Sequence, residues 1–119
     1  MMKKVLAVDD DEDILEALQL CLESNGYEAA IITKGEETYK TVDEFKPDLI
    51  LLDVLLSGRD GRTICRKLKD QETTKHIPII MLSAHPEAAK TIHEYGADEF
   101  MPKPFDVHKL LVEVQKYTK

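Results

Sequence analysis

The 119-residue chain predicts an α/β fold, a doubly wound, five-stranded parallel sheet flanked by five helices. Three observations carry that expectation. Short apolar runs alternate five times with helically spaced segments, and such alternation demands crossover connections and therefore parallel strands. Two of the runs, Leu49 to Leu52 and Ile79 to Leu82, are apolar without alternation, as strands covered on both faces must be. Boundary residues agree with the periods: Gly26, Gly35 and Gly96 lie just past or between elements, and Asp106 stands before the last helix as an N-cap.

The first strand is expected over Lys4 to Val8, and Ile14, Leu15, Leu18, Cys21 and Leu22 then recur at helical spacing to form the first helix. Ala29 to Thr33 is the second strand, less purely apolar and so an edge. Tyr39, Val42 and Phe45 mark the second helix. Asp48 to Leu52 is the third strand, and Ile64, Cys65 and Leu68 mark the third helix. Pro78 to Leu82 is the fourth strand, followed by a fourth helix on Ala88, Ala89 and Ile92. Glu99 to Met101 is the fifth strand and second edge, and Val107, Leu110, Leu111 and Val114 form the fifth helix.

The length suits one domain over residues 1–119 with a self-sufficient core. With 23 acidic against 16 basic residues, the net charge of -7 opposes contact with phosphate backbones and anionic lipid, so neither nucleic acid nor a membrane is an expected direct partner. After Met1-Met2-Lys3-Lys4 only four apolar residues precede the first acid run, too few for a signal peptide or a span, which makes a cytoplasmic location the expectation. Cys21 and Cys65 lack C-x-x-C spacing and are expected as buried free thiols. His76, His85, His93 and His108 lack metal-binding spacing, and no phosphate-binding glycine loop or serine-hydrolase elbow is present.

The stretch Val8-Asp9-Asp10-Asp11-Glu12-Asp13-Ile14 sets five carboxylates side by side. Two unit charges about 4 Å apart repel by ~1 kcal/mol in water and ~4 kcal/mol near a protein surface, so either the cluster is fully solvated or a positive charge belongs in it. In open α/β sheets ligands bind beyond the carboxyl ends of the strands. There the sequence offers Asp9-Asp10 after strand one, Asp53 after strand three, Ser83-Ala84 after strand four and Lys103-Pro104 after strand five. Each residue taken singly is an ordinary turn residue; together they share one rim. Clustered carboxylates with oxygen-only chemistry suit a hard divalent cation, Mg2+ or in its place Mn2+. A carboxylate beside a lysine and a hydroxyl can act as a nucleophile toward phosphorus. Asp11, Glu12 and Asp13 open the first helix, where negative charge suits the dipole.

Val8-Asp9-Asp10, Pro47-Asp48-Leu49-Ile50-Leu51-Leu52-Asp53, Asp60-Gly61, Met81-Leu82-Ser83-Ala84 and Lys103-Pro104-Phe105 resemble, in order and across essentially the whole chain, the signature blocks of the CheY-like receiver domain of two-component response regulators. The resemblance implies a flavodoxin-like sheet of strand order 2-1-3-4-5. It implies that Asp53 accepts a phosphoryl group from a phosphohistidine of a histidine kinase or phosphotransfer protein. Asp9 and Asp10 would hold Mg2+, helped by Asp53 and the backbone carbonyl of Leu55. Ser83 would hydrogen-bond the phosphate and Lys103 would pair with it, with a cis peptide between Lys103 and Pro104. Phe100 would turn inward as Ser83 moves, remodelling the surface of the fourth helix, fifth strand and fifth helix. That surface would also serve a downstream effector of unknown identity or a homodimer. Such a chain is no metabolic enzyme; it catalyses its own phosphorylation and slow dephosphorylation.

The sequence departs from the family's pattern in three places. Ser57 stands where proline is common, Pro102 where a β-branched residue is usual, and the stretch from Ser83 to Lys103 is a couple of residues short, which must shorten the fourth helix or its loop. Leu55 and His85 hold the positions that modulate attack by water on the acyl phosphate, and apolar Leu55 implies a long-lived phosphoryl group. Two rivals stand beside the switch: a degenerate receiver-like module that signals by protein contact alone, and a phosphohydrolase using Asp53. The Met-Met-Lys-Lys opening reads as a natural amino terminus, so any effector domain is expected beyond Lys119.

Overall fold

The computed structural model describes residues 2–119 and places five strands in one parallel sheet. They are β1 Lys4–Val8, β2 Glu28–Ile32, β3 Leu49–Asp53, β4 Ile79–Ser83 and β5 Glu99–Pro102, in the order β2-β1-β3-β4-β5. The central three are apolar apart from one polar end residue each, Lys4, Asp53 and Ser83, because successive side chains feed opposite faces of the sheet. Leu6, Val8, Ile50, Leu52, Ile79 and Met81 enter one core layer; Val5, Ala7, Leu49, Leu51, Ile80 and Leu82 enter the other.

Helices α1 (Glu12–Ser24) and α4 (Val107–Tyr117) cover the second layer with Leu15, Leu18, Leu22, Leu110 and Val114. Helices α2 (Thr38–Phe45) and α3 (Gly61–Asp70) cover the first with Val42, Ile64, Cys65 and Leu68. Each longer helix starts on a carboxylate cap: Asp11 accepts from the amides of Asp13 and Ile14, Asp60 from Arg62, and Asp106 from His108 and Lys109. No helix among the described residues is long and apolar enough to cross a membrane.

Among the described residues four α-helices stand where five are expected. The segment read as a fourth helix is two 3-10 turns, Pro86–Lys90 and Ile92–Tyr95. A 3-10 turn rises ~2.0 Å per residue against ~1.5 Å in an α-helix, so the short segment still spans the β4-to-β5 crossover. The break falls at Thr91, whose hydroxyl donates to the Ala88 carbonyl and accepts from the Arg62 guanidinium at 3.0 Å. That guanidinium also lies 5.3 Å from the centre of the Tyr95 ring, so α3 holds both turns.

Strand ends differ from the sequence reading by a residue. β2 runs from Glu28 to Ile32 without Thr33, while β3 and β4 begin one residue later and take in Asp53 and Ser83. β5 extends to Pro102, paired with Ser83; this is an edge, and the ladder resumes when the Lys103 amide donates to the Ser83 carbonyl at 2.8 Å. Of the two free thiols expected to be buried, Cys65 is, whereas Cys21 is half-buried, because α1 turns Leu18 and Leu22 inward and leaves Cys21 on its flank.

Candidate functional site

Register sets the rim. Val8 pairs with Leu52, Asp53 with Leu82, and Ser83 with Pro102, so the strands finish almost level and Asp9, Asp53, Ser83 and Lys103 follow side by side. Asp9, Asp10 and Asp53 each bring a carboxylate oxygen within 4.8 Å of the others. Asp9 is fully buried, Asp53 is 5% exposed, and Asp10 faces solvent.

One ammonium serves the two buried carboxylates. Lys103 Nζ donates to Asp9 Oδ2 at 2.6 Å and lies 3.4 Å from Asp53 Oδ2, on a Lys103–Pro104 peptide that is cis. Asp9 Oδ1 also accepts from the Asp11 amide at 2.9 Å. Asp53 is less well supplied. Burial and then the Asp9 charge push its carboxyl from 3.8 up to about 6, against the pull of Lys103 and the Leu55 backbone. Burial draws the Lys103 ammonium down, but the Asp9 hydrogen bond and the charges of Asp53 and Asp9 outweigh it and hold the group above its ordinary value. At neutral pH the cluster therefore carries more negative than positive charge. Its donors are all oxygen and partly open to solvent, which fits a hard divalent cation with waters completing its shell.

A short antiparallel hairpin follows Asp53, with Leu55–Leu56 paired to Arg59–Asp60 around Gly58, whose φ of +73 suits glycine. It is clamped to the backbone of Asp53 and its neighbour. The Val54 amide donates to the Leu82 carbonyl at 2.9 Å, the Gly61 amide donates to the Val54 carbonyl at 2.7 Å, and a Cβ on Gly61 would overlap the Asp53 carbonyl oxygen. The hairpin leaves Leu55 55% exposed beside the pocket and sets the Ser57 hydroxyl against Asp10 Oδ2 at 2.9 Å. Neither the hairpin nor this bond was legible in the sequence. Two-residue arms carry no periodicity, and only Gly58 and Asp60-Gly61 signalled a turn.

Ser83 is buried on the rim, and its Oγ accepts from the His85 amide at 2.9 Å; it is not hydrogen-bonded to Asp53. His85 is exposed. Phe100 is half-buried against the α3-side core and edges a groove of about 390 Å3 shared with Val112 and His108 of α4. The structure thus gathers Asp9, Asp10, Asp53 and Lys103 into one contact group, sets Ser83 and Leu55 beside it, and leaves His85 and Phe100 outside it.

The profile of the response regulator receiver domain family matches residues 5–115. Over 117 residues the chain is 41% identical to the alkaline phosphatase synthesis transcriptional regulatory protein PhoP of Bacillus subtilis, covering 97% of the chain and 48% of that protein. Over 121 residues it is 37% identical to the response regulator PleD of Caulobacter vibrioides, covering 100% of the chain and 27% of that protein. The chain thus spans about half the length of the first relative and about a quarter of the second. Among solved structures, chemotaxis response regulator CheY4 of Vibrio cholerae superposes with a TM-score of 0.91 at 30% identity, over 98% of this chain and 99% of that one.

Proposed function

This chain belongs to the response regulator receiver domain family, whose members are phosphoacceptor switches, and we propose that Asp53 is its acceptor. The donor is the phosphohistidine of a histidine kinase or phosphotransfer protein. The observation that carries this reading is one ammonium shared between two buried carboxylates, with a third carboxylate within 4.8 Å. An Asp53 oxygen attacks phosphorus, the bond from phosphorus to the imidazole nitrogen breaks, and the electron pair leaves with the ring, which takes a proton from solvent. Asp9, Asp10 and Asp53, with the Leu55 carbonyl, would hold Mg2+, which supplies charge neutralisation for the phosphoryl oxygens. Lys103, already 3.4 Å from Asp53, pairs with a phosphoryl oxygen as the negative charge grows. Ser83, whose Oγ now accepts from the His85 amide, turns its hydroxyl to donate to the phosphate, and Phe100 follows it on the neighbouring strand, where Met81 pairs with Phe100. The face made by β5, the 3-10 turns and α4 is the output and self-association surface of this reading.

The test is intact mass after incubation of the chain with Mg2+ and a small acyl phosphate. One added phosphoryl group, absent in Asp53→Asn, is the expected result. No adduct in the wild type would favour the degenerate module, and multiple turnovers of free phosphate would favour the hydrolase. The adduct should hydrolyse slowly, since exposed Leu55 offers no group to orient a water. Leu55→Asn should speed that hydrolysis, and an unchanged rate would count against a role for this position.

A further inference from the structure

We infer that Ser57 is a positioning residue for Asp10 and through it sets the affinity of the acidic pocket for a divalent cation; this rests on the metal-binding reading above. The three carboxylates are held unequally. Asp9 is buried and fixed by Lys103 and the Asp11 amide, and Asp53 is buried beside the same lysine. Asp10 is exposed, and among the described residues the Ser57 hydroxyl at 2.9 Å is the one side-chain partner the structure gives it. An exposed carboxylate without a partner samples several rotamers, and only some of them point into the pocket. The hydroxyl donates to Oδ2, which leaves Oδ1 free to accept a cation or one of its waters.

The hairpin makes this possible. Leu55–Leu56 and Arg59–Asp60 pair across a turn, and the Gly61 contact with the Asp53 backbone locks that turn to the acceptor strand. Ser57 is therefore carried by backbone that already belongs to the pocket, so its hydroxyl is placed relative to Asp53 as well as to Asp10. A proline at this position would offer no donor at all. Groups that orient a ligand from behind typically change metal affinity 10- to 100-fold when removed, and the exposure of this bond puts Ser57 near the lower figure.

The experiment titrates Mg2+ into the 119-residue chain, followed by amide chemical shifts, for wild type, Ser57→Ala and Ser57→Thr. Metal-free thermal unfolding of each variant runs beside it. Ser57→Ala should weaken Mg2+ binding about tenfold, and Ser57→Thr, which keeps the hydroxyl, should bind close to wild type. Metal-free unfolding midpoints should agree across the three. Unchanged affinity in Ser57→Ala overturns the inference, as does equal weakening in both variants, because loop packing rather than the hydroxyl would then set affinity. A wild-type chain that binds no Mg2+ overturns the metal reading itself, a result distinct from the other two.

Discussion

Two lysine–aspartate clusters sit at opposite ends of the sheet and differ in how completely they are satisfied. At the amino end, Lys69 Nζ meets Asp98 Oδ2 at 2.9 Å and donates to the Ile77 carbonyl at 2.8 Å, while Asp98 Oδ2 also takes the Ile79 amide at 2.8 Å. One cation faces one anion, and each has a backbone partner. At the carboxyl end, Lys103 faces Asp9 and Asp53 together, with Asp10 close by. The first cluster joins the start of β4 to the residue before β5. The second stores repulsion that a cation can relieve, and the imbalance rather than the burial distinguishes it from a clamp.

The comparison predicts opposite signs for removing one aspartate at each end. Asp53 has a folded-state carboxyl raised from 3.8 to about 6. The folded chain therefore binds this proton more tightly than the unfolded chain, and stability falls as pH rises from about 4 to about 6 before levelling off. At about 1.4 kcal/mol per unit, the penalty at pH 7.5 without metal is about 2–3 kcal/mol. Asp53→Asn should recover it and flatten the profile, as read by urea unfolding at pH 5 and pH 7.5 in chelator. A less stable Asp53→Asn at pH 7.5 would make the pocket a structural clamp like its counterpart.

Asp98→Ala should move the other way, costing about 2 kcal/mol, because the Ile79 amide and the Lys69 ammonium lose a charged partner that holds both. Asp98 is more exposed than Asp53, so water offsets part of the loss. The same unfolding series checks it, and an increase in stability would erase the distinction between the two ends.

The carboxyl-end cluster was the more legible of the two. Asp9, Asp10, Asp53, Ser83 and Lys103 could be found because each follows an apolar run, and parallel strands must end on one rim. Asp98 follows Ala97, itself buried, after a turn of mixed polarity, so nothing in its sequence setting marks it as a partner of Lys69. The fourth helix was misread for a related reason. Buried Ala88 and Ile92, four apart, fit an α-helical spacing, and two turns are too few to separate a 3.6 from a 3.0 period. What decided the matter was Arg62, a residue on α3, which bonds Thr91 where the two turns meet.

Asp11 supplies the smallest and most discriminating test, because it is a neighbour of the pocket carboxylates without sharing their imbalance. Its Oδ1 accepts from the amides of Asp13 at 3.0 Å and Ile14 at 3.3 Å, two of the orphan donors at the start of α1. Asp11→Ala should therefore cost about 1 kcal/mol through loss of the cap. Mg2+ affinity should hold, since the backbone amide that supports Asp9 remains. Asp10→Ala should do the reverse, abolishing Mg2+ binding without a loss of stability, because Asp10 caps nothing and repels its neighbours. Paired calorimetric Mg2+ titration and urea unfolding of the two variants separate placement from field. If Asp11→Ala weakens Mg2+ binding as much as Asp10→Ala, the general acidity of this segment holds the cation, and the positions of the individual carboxylates do not.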